Sequence, residues 1–156
     1  MITSEPTNPI HRLVRFKPPR ITLLIVIAAT AVQLSLSPGS LPPFRVAGGC
    51  VFIAGFALML RAWWLFRRAA TPICPTDDAT TLITNDVYAL TRNPMYLGIV
   101  AMLAGMALFA GWPAYYVAAI LNVLILDTVF CPFEEGRLRA AFSDYETYSA
   151  RVRRWI

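Results

Sequence analysis

Long apolar runs alternate with shorter polar segments along the chain. A helix that crosses a bilayer needs about 20 mostly apolar residues, with a usual range of about 17 to 25. Four runs meet this requirement, at residues 21–37, 44–66, 94–110 and 113–130. The pattern therefore predicts an all-α, polytopic membrane protein with about four transmembrane helices.

Small residues recur within the second and third runs. They are Gly48, Gly49 and Gly55 in the second run, and Gly98, Ala101, Gly105 and Ala107 in the third. Helices in a membrane approach each other closely where such residues lie at the interface. We therefore expect tight packing of the second and third helices.

The composition supports a membrane protein built as one domain. The 156 residues are 57% hydrophobic and only 15% charged, whereas a soluble domain carries about 25% charged residues. This excludes a disordered chain, a disulfide-stapled mini-protein and a water-soluble nucleic-acid binder. A cleaved signal peptide at the first run is a weaker alternative to a helix, because the preceding tail is long and lacks a small-residue cleavage site. We expect one integral membrane domain over 1–156, with a basic tail at 1–20, a polar loop at 67–93 and a polar C-terminal segment at 131–156.

The basic residues indicate the orientation of the chain. The tail, the middle loop and the C-terminal segment carry nearly all of them, whereas the first and third connections carry only Arg45. Because loops rich in Lys and Arg stay in the cytoplasm, both termini and the middle loop are predicted to be cytoplasmic, in an inner or plasma membrane. The net charge of +5 then favours the anionic surface of the lipid bilayer, and not nucleic acid, as the partner.

The cysteine and histidine content gives no support for a metal site or a disulfide. Cys50, Cys74 and Cys131 are scattered, and His11 is the only histidine. A structural zinc site needs about four such ligands in close groups. We therefore expect no metal, and we expect the thiols to stay reduced, as cytoplasmic exposure implies.

The middle loop ends at a strong helix-start signal. Asn is a favoured N-cap and Pro is favoured at the first helical position, so Asn93 and Pro94 predict the start of the third helix. A helix N-terminus presents free N–H groups and a positive dipole end, which suit a ligand carboxylate. The alternative is simple helix capping at the membrane boundary, and the spacing alone favours that alternative.

Charged side chains near the ends of the apolar runs are the second candidate feature. Glu134 and Glu135 follow the fourth run, either as a solvated helix start or as a clamp for a cation or for hydroxyl groups. Arg61 and Asp127 lie inside the second and fourth runs, where a central charge costs about 2.5–3.5 kcal/mol. They are predicted to pair with each other or to line a polar cavity.

The C-terminal segment has helical apolar spacing. Its apolar positions are Leu138, Phe142, Tyr145, Tyr148 and Val152. Arginines surround these positions, which is typical of an amphipathic helix that lies in a membrane interface. Docking on the membrane explains the pattern, with contact to a substrate as the less favoured alternative.

Several motifs, taken together in their order, resemble one superfamily. They are residues 82–88, the run 91–98, the pair Glu134-Glu135, the spaced positions 138–148 and the ending 151–155. This arrangement resembles the isoprenylcysteine carboxyl methyltransferases and phospholipid methyltransferases, which are integral membrane enzymes. The resemblance in motifs covers about residue 79 to the C-terminus, and the earlier residues match only in hydropathy.

The resemblance implies a cofactor, S-adenosylmethionine, bound at the cytoplasmic face. The residues that resemble cofactor-binding positions are Thr80, Thr81, Leu82, Ile83, Tyr88, Asn93, Pro94, Met95, Tyr96 and Glu134. Among them Glu134 is expected to hold a polar end of the cofactor, such as the ribose. The implied acceptor is a lipid-like or small hydrophobic molecule that enters between helices from the bilayer.

The resemblance also suggests catalytic and substrate-facing positions. Glu135 or Tyr96 is expected to help deprotonate an amine acceptor, and Arg92 or Arg61 is expected to supply a cation for the substrate. The expected substrate-facing residues are Phe130, Arg61 and Asp127.

The chain departs from the family pattern at a few positions. Asp86 stands where the family usually has glycine, so we expect the turn there to differ. Asn93 stands where prenylcysteine enzymes often have histidine, which leaves no histidine base. Phe130 stands where those enzymes have an arginine that contacts the substrate. We therefore expect the acceptor to react through a group other than an isolated carboxylate, unless Phe130 merely packs against lipid.

Two other functions fit the same fold. A sterol-reductase-like enzyme that uses NADPH would need a cationic cluster for the 2′-phosphate, and beyond Arg67 and Arg68 no such cluster appears. A non-catalytic membrane scaffold would not need the two glutamates or the run 91–98. Binding of S-adenosylmethionine, of NADPH or of neither distinguishes the three functions.

Overall fold

The computed structural model describes residues 18–36, 39–41, 43–70 and 80–156. Most of the predicted basic tail, including His11, and part of the middle loop, including Cys74, lie outside these residues. The apolar helices are α1 (Pro18–Leu36), α2 (Arg45–Arg68), α3 (Pro94–Ala110) and α4 (Pro113–Ile125). A 3₁₀ turn (Asp86–Ala89) precedes α3, and a π-helical turn (Leu126–Phe130) joins α4 to α5 (Cys131–Ala141), which α6 (Tyr145–Arg151) follows.

The described residues confirm the all-helical membrane fold. Three helical stretches are long and apolar enough to cross a bilayer, namely Pro18–Leu36, Arg45–Arg68 and Pro113–Ala141. The remaining predicted span is the apolar helix α3, whose 17 residues lie at the short end of the length that a span needs, about 17 to 25 residues. The chain is therefore an integral membrane protein with three to four apolar helices.

The fourth span does not end where the sequence predicts. The prediction places its end at residue 130, but the helix continues to Ala141. In a regular α-helix Pro132 would leave one carbonyl without a donor, and its ring would clash with the carbonyl of Thr128. The π-helical turn Leu126–Phe130 widens the helix just before this proline, and such turns occur frequently at functional sites. As a result Glu134 and Glu135 lie on a continuous helix.

Helices α2 and α3 contact each other directly through their backbones along a glycine seam, which consists of Gly48, Gly55, Gly98 and Gly105. A Cβ atom at Gly48 would lie 2.7 Å from the carbonyl oxygen of Gly105, and one at Gly55 would lie 2.7 Å from that of Gly98. The pairing runs in opposite directions along the two helices, so they are antiparallel. The predicted tight packing of the second and third helices is confirmed.

The polar segments gather at one end of the helix bundle. A buried cluster at this end includes Tyr96, near the start of α3, and Phe130, at the end of the π-helical turn. Ile21 from the start of α1 and Met59 from the second half of α2 pack against this cluster. The segments 80–93 and 131–156 therefore leave the bundle at the same end, where they can form a common site.

The C-terminal segment is not the single amphipathic helix that the apolar spacing predicts. Phe142 has an extended backbone (φ −130°, ψ 118°) that ends α5, and the chain is no longer helical after Arg151. Tyr145 and Tyr148 are only 1% and 4% exposed, so they face protein and not lipid. The two tyrosines of the apolar stripe therefore pack inside the protein, whereas Leu138, Phe142 and Val152 are half-buried.

Candidate functional site

Two adjacent glutamates near the start of α5 contact different partners. The hydroxyl of Tyr96 donates a hydrogen bond to Glu134, whereas Arg154 binds Glu135. Neighbouring side chains on an α-helix differ in direction by about 100°. One acid therefore faces the start of α3, and the other faces the C-terminal end of the chain.

Glu135 belongs to a dense network of ion pairs. Arg154 donates from Nε and Nη2 to the two Glu135 oxygens at 2.8 and 3.0 Å, and from Nη1 to Asp127 Oδ1 at 3.0 Å. The indole of Trp155 donates to the same Asp127 oxygen at 2.9 Å. The guanidinium of Arg92 lies 3.6 Å from Glu135 Oε1. A two-pronged contact between a guanidinium and a carboxylate fixes orientation as well as charge, so Glu135 is held in one position.

Arg61 pairs with the middle loop, so its predicted pairing with Asp127 is wrong. Its Nε donates to Asp86 Oδ1 at 3.2 Å, and its Nη2 donates to Asp86 Oδ2 at 2.5 Å. The bonds from this guanidinium lower the pKa of the Asp86 carboxyl below its usual value. Asp127 pairs instead with Arg154, whose Nη1 lies 3.0 Å from Asp127 Oδ1. Arg61 thus ties the loop to the end of α2.

The turn before Tyr88 depends on the local chemistry of Asp86. This residue has a φ of 57°, which is the left-handed conformation that glycine adopts without strain. The Asp86 carboxylate accepts a hydrogen bond from the N–H of Val87 at 2.8 Å, and aspartate tolerates this conformation better than most residues. Aspartate therefore supports a glycine-like backbone at this position through its own side chain.

The segment just before α3 is held by the end of the chain. The N–H of Arg92 donates to the carbonyl of Arg153 at 2.9 Å. The Thr91 hydroxyl and the Asn93 amide both donate to the carbonyl of Arg154, at 2.8 and 3.3 Å. Asn93 and Pro94 occupy the N-cap and the first position of α3, as predicted, although the Asn93 side chain makes no capping hydrogen bond. The N–H groups in the first turn of α3 are therefore not bound by this side chain.

Tyr88 lies buried in the 3₁₀ turn that precedes α3. Its ring centroid is 5.7 Å from that of Phe66, and its carbonyl accepts a hydrogen bond from the Tyr148 hydroxyl at 2.7 Å. Burial, and after it the charge of Glu134, raises the pKa of Tyr88 well above its usual value. The phenol therefore stays protonated at physiological pH, and it lies close enough to Glu134 to sense that charge.

Phe130 is fully buried, so lipid-facing packing is excluded for it. Its ring meets the ring of Tyr96 edge-on, with 6.5 Å between the centroids. Leu126 and Cys131 belong to the same buried cluster. An apolar ring therefore lies one helical turn before Glu134, next to the tyrosine that bonds this glutamate.

The structure brings part of the predicted set together. Tyr88, Tyr96, Glu134 and Phe130 lie around the start of α3 and the start of α5. The other predicted cofactor-binding positions differ in exposure: Asn93 and Pro94 are buried, Leu82, Ile83 and Met95 are half-buried, and Thr80 and Thr81 are exposed. Arg61 lies apart from this group, whereas Glu135, Asp127 and Arg92 form the ion-pair network beside it.

The roles of Arg154 and Trp155 are not predicted from the sequence. The apolar spacing of the C-terminal segment indicates docking on the membrane, but Arg154 binds Asp127 and Glu135, and Trp155 binds Asp127. A signal for this role was present, since two acids near an apolar run need compensating charge. The C-terminal segment contains several arginines, so the sequence does not identify which of them pairs with these acids.

The region that matches a known protein family contains most of the residues described above. A family model described as "Phospholipid methyltransferase" matches residues 44–145. The matched region contains α2 to α5, the loop before α3 and both glutamates. A search of curated proteins and a search of solved structures each find no match.

Proposed function

Because the chain belongs to the phospholipid methyltransferase family, we propose that this membrane methyltransferase uses S-adenosylmethionine and methylates a lipid-like or small hydrophobic acceptor. The observation that carries the proposal is the contact between Glu134 and the Tyr96 hydroxyl at the shared end of the bundle. An ionised carboxylate accepts about four hydrogen bonds, and Tyr96 fills one of these positions. Glu134 therefore retains capacity to accept hydrogen bonds from a bound ligand.

Residues from the segment before α3, together with Glu134, fit a ligand that carries a nucleoside at one end and an amino acid at the other. Arg92 Nε is buried without a hydrogen-bond partner among the described residues, and such a donor suits the carboxylate of an amino acid. Glu134 suits the hydroxyl groups of a ribose. The half-buried Leu82 and Ile83 and the ring of Tyr88 suit a flat, largely apolar adenine. We propose that these residues hold S-adenosylmethionine.

The proposed chemistry asks the protein mainly for positioning. When bound, S-adenosylmethionine supplies a methyl group on a positively charged sulfur, which is ready for displacement by a nucleophile. Holding two reactants in line contributes up to about 7–11 kcal/mol to such a reaction. The protein holds the reactants in line through a site built on continuous helices. The buried ring of Phe130 keeps water away from one side of Tyr96.

An amine acceptor must also lose a proton, and the geometry suggests a route. The Tyr96 hydroxyl donates to Glu134, so it can pass its proton to this carboxylate while its oxygen accepts one from the acceptor. The sequence names both Glu135 and Tyr96 as groups that help remove this proton, but Arg154 engages both Glu135 oxygens. We therefore propose that Tyr96 and Glu134 share the role of base, and that Glu135 acts through its ion pairs.

The buried position of Phe130 leads to a prediction about the acceptor. An apolar ring offers no fixed charge to a substrate carboxylate, whereas an arginine would bind one through two parallel hydrogen bonds. We expect methyl transfer from labelled S-adenosylmethionine to phosphatidylethanolamine or to a small hydrophobic thiol, and weak transfer to the carboxylate of a prenylcysteine. The three acceptors should be assayed side by side with protein in detergent.

The same preparation distinguishes the proposed function from its alternatives. Calorimetric binding of S-adenosylmethionine supports the methyltransferase, whereas binding of NADPH alone would support a reductase. Efficient carboxyl methylation of the prenylcysteine, with the other two acceptors inert, would overturn the prediction about the acceptor while leaving the methyltransferase activity in place.

The distribution of basic residues leads to a prediction about orientation. The polar segments leave the bundle at the same end, and we propose that this end faces the cytoplasm, as the positive-inside rule requires. Reporter domains fused after Thr80 and after Ile156 should give a cytoplasmic signal, and one fused after Trp112 should give the opposite signal. A non-cytoplasmic signal after Thr80 would reverse the proposed orientation.

A further inference from the structure

We propose that Arg154 is a positioning residue of the methyltransferase site, and that the last five residues, 152–156, form a C-terminal strap that holds both halves of the site together. This inference rests on the proposed function for its effect on the cofactor. The position of the strap itself rests on contacts that the structure gives directly.

The side chain of Arg154 fixes the helix that carries Glu134. Its guanidinium bonds both oxygens of Glu135 in α5 and one oxygen of Asp127 in the π-helical turn. The two acids lie on either side of the point where Pro132 interrupts regular helix bonding. A planar guanidinium has its donors in a fixed arrangement, so it sets the distance and rotation between these two parts of the helix. Trp155 adds a second donor to Asp127.

The backbone of the strap fixes the opposite half of the site. The Arg154 carbonyl accepts hydrogen bonds from Thr91 and Asn93, and the Arg153 carbonyl accepts one from the N–H of Arg92. Asn93 makes no capping bond to α3, so the segment 91–93 is oriented by the strap instead. A single residue thus connects the start of α3 with the helix that carries Glu134.

The charge of Arg154 also determines what Arg92 can do. Arg92 lies 3.6 Å from Glu135 Oε1, which is beyond a direct hydrogen bond. Without Arg154, Glu135 and Asp127 would carry uncompensated charge, and Arg92 is the cation nearest to Glu135. We infer that Arg154 satisfies Glu135 and so leaves the buried Arg92 Nε, which has no partner among the described residues, available for a ligand.

The test compares Arg154→Gln with the matched control Arg151→Gln in the full chain, reconstituted in lipid nanodiscs. Arg151 is an exposed arginine near the same end of the chain, and within the described part of the protein its Nε bonds locally, to the carbonyl of Thr147. Hydrogen exchange is measured on peptides covering 88–97, and S-adenosylmethionine affinity is measured by calorimetry. We expect Arg154→Gln to speed exchange in 88–97 and to weaken affinity about tenfold or more, since small displacements in such sites have large effects. Arg151→Gln should change neither measurement.

Two further variants complete the test: one is conservative, and the other removes a side-chain hydrogen bond to the Arg154 carbonyl. Arg154→Lys retains the charge and loses the planar arrangement of donors, so we expect folded protein with faster exchange in 88–97 and intermediate affinity. If Arg154→Gln does not fold, Asn93→Ala replaces it, because this change removes the side-chain bond to the Arg154 carbonyl and no charge. Unchanged exchange in 88–97 for folded variants would overturn the positioning role. Failure of the unaltered protein to bind S-adenosylmethionine would instead refute the proposed function, and the exchange result would still decide the role of the strap.

Discussion

Replacing Gly55 with alanine should lower the free energy of unfolding by about 1–3 kcal/mol, the usual cost of forcing extra atoms into a close-packed interface. The new Cβ atom would lie 2.7 Å from the carbonyl oxygen of Gly98, 2.8 Å from the Cβ of Ala101 and 2.9 Å from the backbone nitrogen of Met102. Two of these neighbours are backbone atoms, which cannot rotate away. Helices α2 and α3 must therefore separate, and they lose contact along the rest of the seam.

Gly49 provides a matched control on the same helix. A Cβ atom at this position meets nothing within 4 Å, and alanine is a better helix former than glycine by about 1 kcal/mol. Gly49→Ala should therefore leave the stability unchanged or raise it. Thermal unfolding in detergent, followed by circular dichroism, measures both variants. Equal stability for Gly55→Ala and Gly49→Ala would contradict the close backbone contact of α2 and α3.

The same glycines illustrate which part of the fold the sequence could predict. Apolar runs and small residues predict the helices and their tight packing, because length and residue size act locally. The sequence alone could not separate Gly48 from Gly49, since the two residues are neighbours of the same type. Only the relative rotation of α2 and α3 places Gly48 against the backbone of α3 and leaves Gly49 open.

The site shows a second reason why prediction from sequence stops short. The motif around Tyr96 and the adjacent glutamates mark the site, because each motif occupies one continuous segment. The partner of Asp127 depends on contacts between distant segments, and Arg61 and Arg154 carry the same charge. The structure shows that Asp127 and Glu135, on either side of Pro132, bind a single guanidinium, that of Arg154. Local sequence patterns do not indicate which of these two arginines pairs with Asp127.

Replacing Glu134 with glutamine should weaken S-adenosylmethionine binding by about ten- to a hundredfold, since a hydrogen bond to a charged group is worth about 1.5–3 kcal/mol. Glutamine keeps the size of the side chain, and its carbonyl oxygen can still accept the bond from the Tyr96 hydroxyl. The change therefore removes the charge and one acceptor oxygen with little effect on packing. Calorimetry with protein in nanodiscs measures the affinity.

The effect on stability should run in the opposite direction to the effect on binding. Glu134 is half-buried beside the aromatic ring of Tyr96, and burying a carboxylate without full compensation is unfavourable. The neutral variant should therefore unfold at the same temperature as the original protein or at a higher one. The two measurements together separate a role in binding from a role in folding. Loss of a purely structural contact would lower both the unfolding temperature and the affinity for S-adenosylmethionine.

Glu146→Gln supplies the matched control for this substitution. Glu146 is an exposed carboxylate that pairs with Arg139, and an exposed ion pair contributes about 0–1 kcal/mol to stability. The control should bind S-adenosylmethionine as the original protein does. Equal affinity for Glu134→Gln and Glu146→Gln, in folded protein, would remove Glu134 from the cofactor site and leave its bond with Tyr96 as a structural contact. A drop confined to Glu134→Gln would instead assign this carboxylate to the cofactor site.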